Sequence, residues 1–444
     1  MNKKFYYPVI LALLAMLVAL PDSALAAGKP ISEWFLVSHA PEIERQPAVA
    51  YNSQRNEYLV VFYNDRPGRD DDDIRAERIS KNGKRLGGIW VSAGLGAERR
   101  NPDVTYNPQL DQYLVVWQHD DPNNTQVNIR GQLLKYDAAG NLMKFGPEIW
   151  VNVAGSGGCS VNCYASKPAV AYANAARKYL VVWENKEAFN VSSDIFAQVL
   201  LENGARWSVT YPLARGAWGY SHSNPDVAYN RSGNGFLVVW EQLNKDSESV
   251  PVPHTDIYGL IVDGGGPIVS SPLPIMSSSS YSEANPSVAA IPLVVVEGVQ
   301  TKGQFLVAAE FYDPRDGRDA SDIATILVNA NGSLGGSGGY GGPGTPFILR
   351  NLFAPDINPV VAGSEGLNQF LLIWSTYFGE RYPVPTLWGQ TFDTLTGAPH
   401  GNIEPLGAPF PTYPAVASGS SGDFLVTTTI PGDWEIFGSL WGIP

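Results

Sequence analysis

The densest run of chemically capable side chains is acidic. Asp70-Asp71-Asp72-Asp73 places four carboxylates in a row. Ca²⁺ takes several carboxylate and carbonyl oxygens, which makes this run a weak calcium candidate. The ligand spacing of an EF-type loop is absent, however, and a run of like charge is ordinarily a solvated loop. No other metal or cofactor is implied. Asp313-Pro-Arg-Asp-Gly-Arg-Asp319 partly echoes Asp65-Arg-Pro-Gly-Arg-Asp70; a shared loop structure, with Asp–Arg contacts around a Gly turn, explains the echo without a ligand. The five histidines, His39, His119, His222, His254 and His400, form no His-x-x-x-His or His-Glu-x-x-His pair. His119 with Asp120 has the residue types for acid–base work, but adjacent residues of a strand point to opposite sides. No Gly-x-Ser-x-Gly elbow occurs outside the Gly-rich stretch 332–344. Paired carboxylates about 5–9.5 Å apart would suit glycoside hydrolysis. With 43 acidic residues, the sequence selects no pair, and it assigns no catalytic residue.

A second set of side chains suits recognition. It comprises Arg69, Arg99, Arg100, Trp218, Tyr220, His222, Tyr281, Arg318, Tyr377 and Arg381. Aromatic and Arg side chains dominate interface hot spots, and aromatics with polar neighbours also suit sugar faces. The bland alternative is that they pack long loops onto a rim. Cys159 and Cys163, in Cys-Ser-Val-Asn-Cys, are the only cysteines. In an oxidising compartment they read as a loop disulfide; two sulfurs alone do not make a zinc site.

What would position these residues is a repeat. Pro47-Ala-Val-Ala-Tyr-Asn52 precedes Tyr58-Leu-Val-Val-Phe62. The same pair returns as Asn101–Asn107 with Tyr113–Trp117, Pro168–Tyr172 with Tyr179–Trp183, and Asn224–Asn230 with Phe236–Trp240. Weaker copies follow as Asn285–Ala289 with Phe305–Ala308, Asn358–Ala362 with Phe370–Trp374, and Tyr413–Ala417 with Phe424–Thr427. A third apolar stretch opens at Asp73-Ile74, Asn128-Ile129, Asp194-Ile195, Asp256-Ile257, Asp322-Ile323, Thr386-Leu387 and Glu435-Ile436. Hairpin dipeptides follow it in six copies: Asn82-Gly83, Ala139-Gly140, Asn203-Gly204, Gly264-Gly265, Asn331-Gly332 and Thr396-Gly397. A fourth strand such as Gly88-Ile-Trp-Val-Ser92 closes most copies.

The unit is therefore four short strands. Its second strand is apolar without alternation, as expected of a strand covered on both faces. The seventh copy ends after its third strand, while Glu33-Trp-Phe-Leu-Val-Ser38 reads like a fourth strand placed ahead of the first copy. The two ends then complete one sheet, which protects the edges at the seam.

The pattern resembles the β-propeller repeats of exported bacterial proteins, over about residues 32–444. The resemblance implies an all-β, seven-bladed β-propeller of four-stranded antiparallel blades, with 32–38 and 414–444 forming the last blade of a single domain, 27–444. It is a resemblance of repeat class alone. The Asp-box of sialidases, the Gly-His…Trp-Asp signature of WD repeats and the calcium loops of integrin-type propellers are missing. In this topology the loops between second and third strands are long and diverse, and those between fourth and first strands differ too. The functional surface is expected on that face.

The start of the chain carries Lys3 and Lys4, an apolar run from Val9 to Leu20, and Ser23-Ala-Leu-Ala26. This is the layout of a signal peptide over 1–26, which implies export to the periplasm, the cell surface or the medium. The formal net charge of −13, without a basic stripe, speaks against nucleic acid and anionic membranes as partners. No further long apolar segment suggests a membrane-embedded protein. The expected function is a non-catalytic binding or assembly module for a protein or surface polymer. The alternatives are a carbohydrate-binding or carbohydrate-active propeller, whose partner is a glycan, and a self-assembling subunit of a surface layer or filament.

Overall fold

Tyr58–Phe62, Tyr113–Trp117, Tyr179–Trp183 and Phe236–Trp240 are the apolar centres of four equivalent strands, and their side chains are almost wholly removed from water. In a computed structural model of the chain, each lies inside its own sheet with a neighbouring sheet against either face. The structure describes residues 29–444 apart from 39–41, 66–70, 121–125, 153–162, 188–191, 217–219, 245–253, 269, 279, 293, 297–298, 302, 316–319, 336–343, 350–353, 377–385, 409–410, 432–433 and 443–444. The proposed signal peptide and Cys159 fall outside the described residues, so the disulfide does too.

Seven antiparallel sheets succeed one another along the chain. From the innermost strand outward, blade one is Ile43–Asn52, Glu57–Asp65, Asp72–Ser80 and Arg85–Ser92. Blade two is Glu98–Asn107, Gln112–Asp120, Val127–Tyr136 and Leu142–Trp150. Blade three is Cys163–Ala173, Lys178–Glu187, Ser193–Leu201 and Tyr211–Ala214. Blade four is Tyr220–Asn230, Gly235–Asn244, His254–Asp263 and Leu273–Met276. Blade five has Ser282–Ile291, Gln304–Tyr312 and Asp322–Asn329, with an outer strand in two pieces, Leu334–Gly335 and Phe347–Leu349. Blade six is Asp356–Ser364, Gln369–Thr376, Thr386–Asp393 and Pro399–Pro405. Blade seven has Thr412–Ser418, Asp423–Ile430 and Glu435–Gly442. Among the described residues every regular element is a strand, and no helix is long and apolar enough to cross a membrane.

The outer strand of blade seven comes from the other end of the chain. Phe35 and Leu36 pair with Gly438 and Phe437, and Lys29 and Pro30 pair with Gly442 and Trp441. Val37 donates its N–H to the Ile436 carbonyl at 2.9 Å. The chain's two ends thus share one sheet, as their sequences predict, and the pairing extends further upstream than residue 32. Inner strands of successive blades contact one another all the way round, including the inner strands of blades seven and one. The fold is a closed, seven-bladed β-propeller.

The core lies between blades. Trp240 and Val238 of blade four, for example, pack with Leu180 and Val182 of blade three. Burying such a Trp fully makes its truncation to Ala cost roughly 3–5 kcal/mol. The expected hairpin glycines take positive φ at Gly83, Gly140, Gly204, Gly332 and Gly397. In blade four the turn is shifted by one residue: Gly266, not the Gly264-Gly265 pair, takes φ 115° and donates to the Asp263 carbonyl.

Candidate active site at the axial mouth

Every innermost strand interrupts its ladder at the same point. The register jumps between Arg45 and Ala48, Arg100 and Asp103, Ser166 and Ala169, Ser223 and Asp226, Ala284 and Ser287, Ile357 and Val360, and Thr412 and Ala415. Two residues of the inner strand then oppose one of its partner, which is a β-bulge. The first of the two is left-handed in all seven blades, with φ between 48° and 53° at Gln46, Asn101, Lys167, Asn224, Asn285, Asn358 and Tyr413. Proline follows each of them. A left-handed conformation costs most residues ~1–2 kcal/mol, and Asn among the least, which accounts for the Asn-Pro signature of the repeat. The seven bulges ring the axis and enclose a cavity of about 340 Å³.

One position deeper, two aspartates and a serine stitch blades together. Asp103 accepts the Val104 N–H at 2.8 Å and the Val170 N–H of the next blade at 2.7 Å. Asp226 does the same with Val227 and Val288, both at 2.8 Å, and Ser287 accepts from Val361 at 3.2 Å. These N–H groups belong to inner edges that have no further strand to pair with. Both carboxyls are enclosed by protein yet open onto the axial channel. Burial pushes Asp103 up to about 7, with Asp226 adding repulsion, and pushes Asp226 up to about 6.

Above the bulges, the second strands contribute one side chain each to the rim, in register with the residue preceding the bulge. These are Tyr63, Gln118, Glu184, Glu241, Glu310, Ser375 and Thr429. Blades three, four and five therefore put three glutamates side by side. Glu241 accepts from Ser223 Oγ at 3.0 Å, from Asn224 Nδ2 at 2.6 Å and from the Asn285 N–H. Glu310 accepts from Asn285 Nδ2 at 2.7 Å and from the Asn358 N–H at 2.8 Å. One residue, Asn285, thus links the two carboxylates. Burial raises the Glu310 carboxyl above the usual range and the Glu241 charge raises it further, against the pull of its two donors. Glu184 stands 3.8 Å from Lys167 Nζ, and that ammonium donates to Asn224 Oδ1. The opposite arc is basic and polar. Arg45 lies over the Trp434 ring at 4.2 Å, Arg100 pairs with Asp72 and, at 2.9 Å, with Glu98, and Asn101 donates to Gln118 at 2.8 Å.

Of the recognition set, Arg69, Trp218, Arg318, Tyr377 and Arg381 lie outside the described residues. Arg100 reaches the axial rim. Arg99 does not: it is buried, and its Nη1 donates to Asp73 at 3.3 Å and to the carbonyls of Asp72, Gly94 and Ala97, each at 3.1 Å. It holds the loop entering blade two. Tyr220 is half-buried at the start of blade four. His222 is buried edge-on to Trp240 at 6.2 Å, and burial lowers its pKa. Tyr281 packs against Phe311 at 4.8 Å and carries Arg315 on its face at 4.4 Å. In the calcium candidate, Asp70 is outside the described residues, and oxygens of Asp72 and Asp73 serve Arg100 and Arg99.

Sequence reasoning looked to loops and passed over Glu184, Glu241 and Glu310, which sit within the second strands. Their signal was present: each follows a buried core residue, as in Trp183-Glu184, Trp240-Glu241 and Ala309-Glu310.

No protein-family model matches the sequence, and no curated protein is detectably similar to it. Among solved structures, the chain is similar to an α-L-arabinofuranosidase of Fusarium graminearum at 10% identity, covering 94% of this chain and 97% of that one with a TM-score of 0.49. It is similar to the leech intramolecular trans-sialidase at 8% identity, covering 94% and 70% with a TM-score of 0.46. It is also similar to the Dos1 propeller at 9% identity, covering 96% and 97% with a TM-score of 0.41. The likeness is one of fold, which the strand pairing establishes independently. The expectation of a non-catalytic binding or assembly module is corrected here. It rested on the lack of a selectable carboxylate pair, and the fold sets Glu241 and Glu310 on adjacent blades, joined through Asn285.

Proposed function

We propose that the axial mouth binds a glycan and cleaves a glycosidic bond, with Glu310 as proton donor and Glu241 as its partner carboxylate. The observation that carries this reading is the pair itself: two glutamates on adjacent blades, tied to one asparagine that lines the axial cavity. Such a pair needs a proton donor and a partner carboxylate, with environments that differ. Glu310, desolvated and facing a neighbouring charge, suits the first role. Glu241, fixed by three donors, suits the second. Glu310 gives its proton to the glycosidic oxygen as the bond to the anomeric carbon breaks. Glu241 faces the positive charge developing on that carbon, and water supplies the hydroxyl that replaces the leaving group, its other proton passing to the carboxylate pair so that the acid is restored. Arg100, Lys167 and Gln118 lie on the same rim to hold sugar hydroxyls or an acidic substituent.

The test is hydrolysis of a panel of aryl glycosides and polysaccharides, including α-L-arabinofuranosides and sialosides, by the purified protein and by Glu310→Gln and Glu241→Gln. Turnover by the parent and its loss in both variants, with unchanged melting temperatures, is the expected result. Glycan binding without turnover, or full turnover by the variants, would defeat the assignment.

A further inference from the structure

A second concave region lies away from the axis, between blades four and five. It encloses about 820 Å³, within the range of small-molecule sites. Its wall is largely apolar, with Ile275 and Met276 at the end of blade four, Tyr281 and Phe311 of blade five, and Phe347 and Ile348 of the split outer strand, beside the hydroxyls of Ser277, Ser278 and Thr345. Among these surfaces stands one carboxyl, Glu283. It is 2% exposed, and its Oε2 is sealed from water with no hydrogen-bond partner.

Glu283 occupies the position two residues before the bulge. At that position Glu44 accepts from the Ile436 N–H at 3.4 Å, Arg99 Nη1 donates to Asp73 and three carbonyls, and Asp356 accepts from Thr376 Oγ1. Glu44 Oε1 and Arg99 Nε are left without a partner too, but of these residues it is Glu283 that lines the cavity. A buried polar group without a partner is costly, and a ligand is one way to complete it.

The surrounding charges select the ligand's chemistry. Asp256 faces Glu283 and raises its pKa beyond the effect of burial, to about 8. Asp256 is itself engaged by His254 at 3.1 Å and by the Ser278 N–H at 3.3 Å. The nearby cation, Arg315, is occupied by Asp313 at 3.0 Å and by the face of Tyr281. Among the described residues the cavity is lined by one carboxyl and by no cationic side chain. We propose that the cavity between blades four and five binds an apolar molecule bearing one basic nitrogen, which pairs with the carboxyl of Glu283. Its aromatic and aliphatic lining sets it apart in chemistry from the axial mouth.

Calorimetry on the intact protein tests this, with 2-phenylethylamine and tryptamine as probes and the corresponding alcohols as neutral counterparts, at neutral pH in two buffers of different ionisation enthalpy. The amines are expected to bind at least about tenfold more tightly than the alcohols, the worth of a hydrogen bond to a charged group. Pairing with an ammonium pulls the raised Glu283 pKa down, so amine binding should release protons to the buffer. Glu283→Gln should bring amine and alcohol to equal affinity while leaving glycoside turnover and melting temperature in place. Ser277→Trp, which keeps the carboxyl and fills the cavity, should abolish binding of both; it carries the test if Glu283→Gln fails to fold. Equal affinity for amine and alcohol, amine binding without proton release, or amine binding that survives both variants would overturn the proposal. So would the absence of amine binding at millimolar concentration.

Discussion

The two ends of the axial channel are built from the same seven inner strands and behave differently. At the end away from the glutamates, Tyr51, Tyr106, Tyr172 and Tyr229 repeat one residue type around the opening. Each packs on its cross-strand aromatic partner, with ring centroids 4.9–5.1 Å apart. Most of their hydroxyls close on their own blade: Tyr106 on Asp111 at 3.0 Å, Tyr172 on Glu202 at 2.7 Å and Tyr229 on Asn234 at 2.9 Å. At the glutamate end the rim residue changes from blade to blade, and its hydrogen bonds cross between blades. Where the repeat is kept, one tyrosine after another makes the same contact. Where it is abandoned, each blade offers a different group, and Glu241 and Glu310 come to share Asn285.

The contrast predicts a graded set of outcomes. The sharpest is kinetic. Glu310→Gln should lower turnover by about 10²–10⁴-fold, the usual worth of a positioned acid, whereas Tyr172→Phe at the opposite end should leave turnover within about twofold, since it touches no acid–base group. Equal losses from the two variants would erase the distinction between the mouths.

A second effect belongs to the wall between them. Asp226→Ala strips the Val288 N–H of its acceptor, so unfolding free energy should fall by about 1–3 kcal/mol in urea titrations. A change near zero would mean that channel water replaces the carboxylate.

The third outcome is a pH dependence. Asp103 and Glu44 are pushed up to about 7 and Asp226 to about 6, in each case chiefly by burial. Unfolded carboxyls ionise near 4. As pH rises from 5 to 8, the folded state therefore retains protons that the unfolded state has already lost. Unfolding releases protons in this range, and stability falls as pH climbs. The melting temperature should be higher at pH 5 than at pH 8, and Asp103→Asn should shrink the difference; a rising trend would contradict these assignments.

The smallest effects lie at the tyrosine end. Tyr172→Phe should cost about 0.5–1.5 kcal/mol. Arg231→Ala, which removes an exposed pair with Glu365 at 2.8 Å, should cost at most about 1 kcal/mol.

The architecture was legible because it is periodic. Tyr-Leu-Val-Val-Trp marks a strand buried on both faces wherever it occurs, and Glu33–Ser38 matched the missing outer strand of blade seven. The Asn-Pro-Asp motif was visible as a repeat but not as a device. Its left-handed Asn and its Asp clasp act through the neighbouring blade, about 60–70 residues away in sequence. The glutamate pair escaped for a related reason. Glu241 and Glu310 meet only because Asn285 stands between two blades, a relation that no local window contains. Attention to variable loops drew Arg99 into the recognition set, although its neighbours Asp72 and Asp73 give it an internal use.

The pairing of Phe35 and Leu36 with Phe437 and Gly438 has a consequence in time. During synthesis the upstream half of this latch emerges some 400 residues before its counterpart. It must wait through six completed sheets. Contacts of such long sequence separation form slowly, so the third strand of the last sheet passes through a period with one bare edge, open to any passing chain. A chaperone or a mutation acting on this one segment would govern the yield of finished rings more than any change within the six sheets that close on themselves.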